Sequence, residues 1–270
     1  MPRASVTIKT RDGQAPASVF TPSTGQGPWP AVLVYMDGRG IRPAMFEIGE
    51  RIASAGYFVL LPDLFYRAGP YEAPGPTAFT DDPAFRARWF AEYFATASQS
   101  NLHSDNEAYF AFLAQQPQVR GPEVGTTGYC LGGSLSLLAA AQFPDRVVAA
   151  ASFHGGNLAT EKPDSPHLSV DRIKARVYVA GAVEDASFDD TQKQRLTSAL
   201  QAAGVQHKVE TYEGARHGWV PTDSAAYVQE AAERHYRALL DLFNRCVWSC
   251  ASGATAADPR SRDLWLRGRT

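Results

Sequence analysis

Ala31–Met36 is an unbroken apolar run, Tyr57–Leu61 is another, and Val147–Phe153 and Ala175–Val183 are interrupted only by Ser152 and Arg176. Such runs, with no polar alternation, predict strands buried on both faces, as in a parallel sheet. Segments of helical period separate them. Pro43–Ala55 stops at Gly56, Ser104–Gln115 breaks before Pro117, Ser134–Gln142 follows a glycine turn, and Asp189–Ala203 stops at Gly204. Proline opening a helix and glycine just past its end are ordinary boundary signals. His207–Tyr212 predicts a last strand and Tyr227–Cys246 a long closing helix. At the front, Ser5–Thr10 and Ala17–Phe20 flank Asp12-Gly13, which predicts a hairpin. Strands alternating with helices imply an α/β fold with a mostly parallel sheet and right-handed crossovers.

Two segments depart from this rhythm. Leu64–Asp82 is rich in proline, glycine and aromatic residues, and Pro83–Thr96 carries Phe85, Trp89, Phe90 and Phe94 at roughly helical spacing. Together with the stretch to 103 they predict an excursion over the sheet, the kind of insertion that forms lids and binding loops. From Ser249 onward the chain is rich in alanine, glycine, serine and arginine without periodicity. The expected organisation is therefore one α/β domain over 1–245, with the excursion at 64–103, and a loosely ordered tail over 246–270.

Composition narrows the function classes. The 270 residues are 44% hydrophobic and carry a formal net charge of -2. That suits one large α/β domain and gives no basic face for nucleic acid. The start lacks an apolar signal core and no run is long enough to span a membrane, so a cytoplasmic protein is expected, as a monomer or small homo-oligomer. Three cysteines, Cys130, Cys246 and Cys250, do not make a disulfide scaffold, and the last two lack nearby Cys or His partners for a zinc site.

The remaining cysteine sits in Val124-Gly125-Thr126-Thr127-Gly128-Tyr129-Cys130-Leu131-Gly132-Gly133. A run of β-formers leads into Gly-x-Cys-x-Gly and a helix follows, the pattern of a nucleophile elbow with cysteine in the serine position. A strand that turns at once into a helix leaves no room beside the nucleophile, which Gly128 and Gly132 provide. The helix N-terminus favours thiolate over thiol. A nucleophile of this kind needs a base, and the base an orienting acid, both from later loops with the acid first. The loop after Ala175–Val183 holds Glu184-Asp185, and the loop after His207–Tyr212 holds Glu213-Gly214-Ala215-Arg216-His217-Gly218. His217 is the expected base and Asp185 the expected acid, with Glu184 as the alternative. His154 also follows a strand but precedes the acid loop. The oxyanion site is expected from the Leu131 N–H and the Gly38 N–H, the latter in the loop Asp37-Gly38-Arg39-Gly40. Phe65, Tyr66, Phe85, Trp89 and Trp219 are candidates to line a pocket. Two rival readings stand beside a cysteine hydrolase of activated esters: an esterase or thioesterase for neutral substrates, and a ligand-binding module without catalysis.

Gly128-Tyr129-Cys130-Leu131-Gly132-Gly133, Pro62-Asp63-Leu64 and Gly214-Ala215-Arg216-His217-Gly218 resemble the dienelactone hydrolase family, across nearly all of 5–245. The resemblance implies an α/β-hydrolase fold with helices on both faces of the sheet. It also implies a triad at Cys130, Asp185 and His217, opening of an enol-lactone to an oxo acid, and no metal or organic cofactor. The best-known branch carries a glutamate that interacts with the resting thiol, and Asp37 matches that position. It also carries a carboxylate-binding arginine a few residues after the histidine. Here the stretch is Gly218-Trp219-Val220-Pro221. A second such arginine matches Arg86 or Arg88, with Arg39 next in line. The expected substrate is thus a small ester or lactone whose acidity the sequence leaves open.

Overall fold

A computed structural model describes residues 2–248. Eight strands form one sheet: β1 (Arg3–Lys9), β2 (Gln14–Phe20), β3 (Trp29–Tyr35), β4 (Phe58–Pro62), β5 (Val119–Tyr129), β6 (Val147–Phe153), β7 (Arg176–Gly181) and β8 (His207–Thr211). Their order is β1-β2-β4-β3-β5-β6-β7-β8. β1 and β2 pair antiparallel, β2 joins β4 antiparallel, and β4 through β8 are parallel. Every residue of β3 and β4 is buried, as their unbroken apolar runs require.

Among the described residues, seven α-helices accompany the sheet: α1 (Pro43–Ser54), α2 (Ala78–Asp81), α3 (Pro83–Glu92), α4 (Gln99–Ala114), α5 (Leu131–Gln142), α6 (Asp190–Ala202) and α7 (Gln229–Phe243). Alternation along β5 sorts them onto two faces. Thr126 hydrogen-bonds Ser136 of α5, whereas the α-carbon of Gly125 faces Phe243 of α7 and Tyr129 Oη meets His235 of α7. Tyr35, paired with Gly128, bonds Asn106 of α4 at 2.8 Å and so places α4 beside α5. α1 packs its Gly49 on Phe20, on the α7 side.

Element ends differ from expectation where side-chain caps intervene. Ser98 caps α4, which begins five residues before Ser104. Asp82 caps α3 through Phe85 N at 2.8 Å, and α3 ends at Glu92, where a 3-10 turn over Phe94–Ala97 takes over. The closing helix begins at Gln229 and passes at Asn244 into a π-helical turn to Trp248. The tail expected to be loose from 246 is thus ordered as far as Trp248, whose ring meets Tyr57 at 6.1 Å; residues 249–270 lie outside the described residues. Among the described residues, no helix is long and apolar enough to cross a membrane, and no His, Cys, Asp and Glu cluster could hold a metal ion.

Candidate active site

Cys130 stands between β5 and α5 with φ 53° and ψ −114°, a backbone that L-residues rarely adopt. Local packing allows no relief. A methyl group at Gly128 would collide with Gly132 O, and one at Gly132 would collide with Tyr35 O. The first turn of α5 is pressed onto the end of β3, so the loop after β3 and the elbow share one end of the sheet. Leu131 opens α5, and a first-turn amide has no partner inside its helix. Gly38 N–H likewise has no hydrogen-bond partner among the described residues.

The later loops come to the same end. His217 Nδ1 lies 2.7 Å from Asp185 Oδ2. Asp185 Oδ1 accepts from Ser187 N at 2.9 Å and from Ser187 Oγ at 2.6 Å, so both its oxygens are held. Burial pushes the Asp185 carboxyl up, but bonds to His217 and Ser187 outweigh it and bring the group to about 2. Burial also opposes charge on His217. The neighbouring charge of Cys130, and hydrogen bonds with Asp185 and Cys130, overcome it and hold the imidazole well above its ordinary value. The His217 side chain keeps 32% of its surface exposed and Asp185 only 4%. An open imidazole backed by a buried carboxylate can pass a proton on one side only. Glu184, the alternative acid, turns outward and pairs with Arg216 at 2.8 Å. A cleft of about 410 Å³ beside that pair includes Val183, Gly214 and Tyr227 but neither Cys130 nor His217.

The other expected residues are placed differently. Asp37 does not stand free for a thiol. Arg42 grips both its oxygens at 2.7 and 2.8 Å, and Arg39 N adds a third bond at 2.9 Å. Arg42 continues to Asp223 in the loop beyond His217 at 2.8 Å, and Arg39 reaches Asp223 at 3.1 Å and Pro74 O at 2.7 Å. Tyr66 is spent on Thr10 at 2.7 Å and Asp105 at 2.9 Å, at the hairpin edge of the sheet. Trp219 lines no open surface: it is fully buried, stacked on Tyr212 at 5.2 Å. Arg86 and Arg88 are exposed on α3, Arg86 over the Phe90 ring at 5.1 Å.

Trp89 and Phe65 are buried in an aromatic group with Tyr71, Tyr93 and Phe94. This group clasps the loop after β3. Trp89 Nε1 donates to Gly38 O at 2.9 Å, Phe94 fills the space a side chain at 38 would need, and Tyr71 does the same at Gly40. Sequence reasoning missed Arg42, Asp223 and Ser187. Arg42 left one signal, a long cation where a helix start favours a short polar residue.

A parallel sheet with an antiparallel edge, helices on both faces and a strand-to-helix elbow at its centre defines an α/β-hydrolase fold. The sequence pattern of the dienelactone hydrolase family matches residues 16–247, and the chain belongs to that family. A Synechocystis protein named "Putative carboxymethylenebutenolidase" is 29% identical over 241 residues, covering 88% of this chain and 94% of that one. The carboxymethylenebutenolidase of Pseudomonas putida is 27% identical over 228 residues, 84% of this chain and 90% of its own. The solved structure titled "Putative Dienelactone Hydrolase" from Klebsiella pneumoniae superposes with a TM-score of 0.78 at 23% identity, covering 90% of this chain and 98% of that one. The chain is a hydrolase of the dienelactone hydrolase type.

Proposed function

We propose that this protein hydrolyses an activated ester or enol-lactone through Cys130. The observation that carries the reading is the 2.7 Å pairing of His217 Nδ1 with the buried Asp185 carboxylate, at the end of the sheet where Cys130 stands on a strained elbow. The Cys130 thiolate attacks the carbonyl carbon, and the Leu131 and Gly38 amides hold the oxyanion. The carbon–oxygen bond to the leaving group breaks, His217 gives up its proton to the departing oxygen, and an acyl-thioester remains. Water then attacks the thioester and passes its proton to His217; the acid leaves and the thiolate returns. Thiolates leave readily, so this chemistry suits activated esters and lactones better than amides. A non-catalytic binding module would have no use for a base held charged beside a sulfur. Mixing enzyme with a slow p-nitrophenyl ester should give a burst of one p-nitrophenolate per chain and an acyl mass on the Cys130 peptide. Turnover without acyl on that peptide would end the reading.

The pH profile gives a separate test. His217 holds its proton up to a raised value, so turnover that needs an imidazolium is lost as pH climbs through that value. Asp185, lowered to about 2, stays anionic across any assay range and supports the proton throughout. Asp185→Asn should therefore move the alkaline limb of kcat/KM to lower pH, by about one unit or more, beside a large fall in rate. The pair titrates as a unit, so the limb belongs to both groups. An unmoved limb would remove Asp185 from this role.

Substrate charge follows from the arginines. A carboxylate bound in a partly buried site needs a cation with free donors. Arg42 is committed to Asp37 and Asp223, and Arg39 to Pro74 O and Asp223. The loop after His217 adds no cation before Asp223. The substrate reading this favours is an uncharged ester or lactone. On a matched acid and methyl ester, kcat/KM is expected to differ by less than about tenfold, with the ester ahead. A strong preference for the acid, lost in Arg86→Ala or Arg88→Ala, would reverse it.

A further inference from the structure

His154 takes no part in the chemistry above, yet its ring lies among the groups that do. It follows β6 with φ 39° and is fully buried. Its Nδ1 lies 3.2 Å from Cys130 N. A backbone N–H only donates, so Nδ1 is bare and the neutral ring carries its proton on Nε2. Phe153 O takes the same N–H at 3.2 Å, while Cys130 O accepts from Gly133 N at 3.1 Å and Gly156 N at 3.3 Å. Residues 153–156 thus hold both polar groups of the strained Cys130 main chain.

The same turn meets the other two partners. The His154 ring stands 5.3 Å from the His217 ring and 4.9 Å from Trp219, edge-on to them at 62° and 75°. A methyl group at Gly156 would meet Ser187 Oγ at 2.9 Å, the hydroxyl that holds Asp185. Facing His154 are Cys130 and Tyr129 from the elbow, His217 and Asp185 from the later loops, and His235 from α7. Burial, with His217 and His235 beside it, keeps the ring well below the ordinary imidazole range. A proton on Nδ1 would set N–H against N–H, and a second proton there beside the one on Nε2 would also add a cation next to His217.

We infer that His154 is a positioning residue, whose bare Nδ1 holds the Cys130 amide so that the strained elbow presents its sulfur to His217. This rests on Cys130 being the nucleophile. The test has two arms. In wild-type protein labelled with 15N-histidine, one imidazole should show a bare Nδ1 and a protonated Nε2 from pH 5 to 9, and that signal should vanish in His154→Asn. A His154 that titrates in this range, or carries its proton on Nδ1, overturns the inference.

In the second arm, His154→Leu removes the side-chain acceptor and leaves the Cys130 N–H with Phe153 O alone, whereas His154→Asn keeps an oxygen near Nδ1 and tolerates positive φ. His154→Leu is expected to lower kcat on a p-nitrophenyl ester by about 30-fold or more, with KM within about threefold, as for a misplaced reacting group. Iodoacetamide labelling of the Cys130 peptide should slow in step. His154→Asn should bring kcat back to within about fivefold of wild type. Equal losses in the two variants, or a loss wholly in KM, would reduce His154 to packing. If His154→Leu does not fold, the NMR arm decides. Full activity in Cys130→Ala would instead sink the nucleophile and leave the tautomer result standing.

Discussion

Cys130→Ala is expected to lower kcat/KM on an activated ester by about 10⁴ or more, while the thermal midpoint moves by less than about 2 °C. The two halves rest on different physics. In the proposed mechanism the thiol forms the bond to the substrate carbon, and without it only the proposed oxyanion amides and binding would remain, a residual catalysis far below that of an intact triad. Stability is another matter, because the half-buried thiol fills little of the core. Alanine also keeps a Cβ, so the strain at φ 53° is the same in both proteins. The measurement is steady-state kinetics beside a thermal melt. Activity above about one per cent of wild type would remove Cys130 from the chemistry, and a collapse of the midpoint would leave the kinetic loss uninformative.

Arg42→Met is expected to cost about 3–5 kcal/mol of stability, the usual range for breaking a buried ion pair from one side. For a chain of this size that lowers the thermal midpoint by about 10 °C. The Arg42 side chain is 4% exposed and that of Asp37 8%, so neither charge has water to fall back on. Burial pulls the Arg42 guanidinium down, but Asp37 and then Asp223 more than restore it, leaving it held above its ordinary value. Methionine would fill the space and leave Asp37 with only the Arg39 amide. The penalty should therefore come from the stranded carboxylate. Arg42→Met combined with Asp37→Asn should regain most of the loss, because an amide is cheaper to bury than an unpaired anion. Asp223 keeps Arg39 and half-solvated surroundings in either variant. A double variant as unstable as the single one would place the cost in the packing of Arg42. The cluster also ties the loop of Gly38 to the loop beyond His217, so activity at low temperature should fall in the single variant before unfolding begins.

Much of this was legible in the residues, and for identifiable reasons. Unbroken apolar runs have few places to go in an α/β chain except the middle of a sheet, which is where β3 and β4 lie. The elbow was legible because glycine is needed where backbones touch, and Gly128 and Gly132 touch backbone. His217 was expected as the base because strand, loop and chain order agree on one position, and its pairing with Asp185 at 2.7 Å is consistent with that role. Tertiary structure alone decided what adjacent or long side chains do. Glu184 and Asp185 are neighbours in sequence, but successive side chains point different ways: one reaches Arg216 at the surface, the other is buried against half-open His217. Asp37 and Tyr66 have the chemistry for a site, and other partners claim them: nearby Arg42 and, through it, the distant Asp223 for the first, Asp105 for the second. His154 had the right place for a rival base. Its hydrogen bond to Cys130 N depends on β5 and β6 lying side by side with Tyr129 opposite Phe153, a register that no local pattern in either strand specifies.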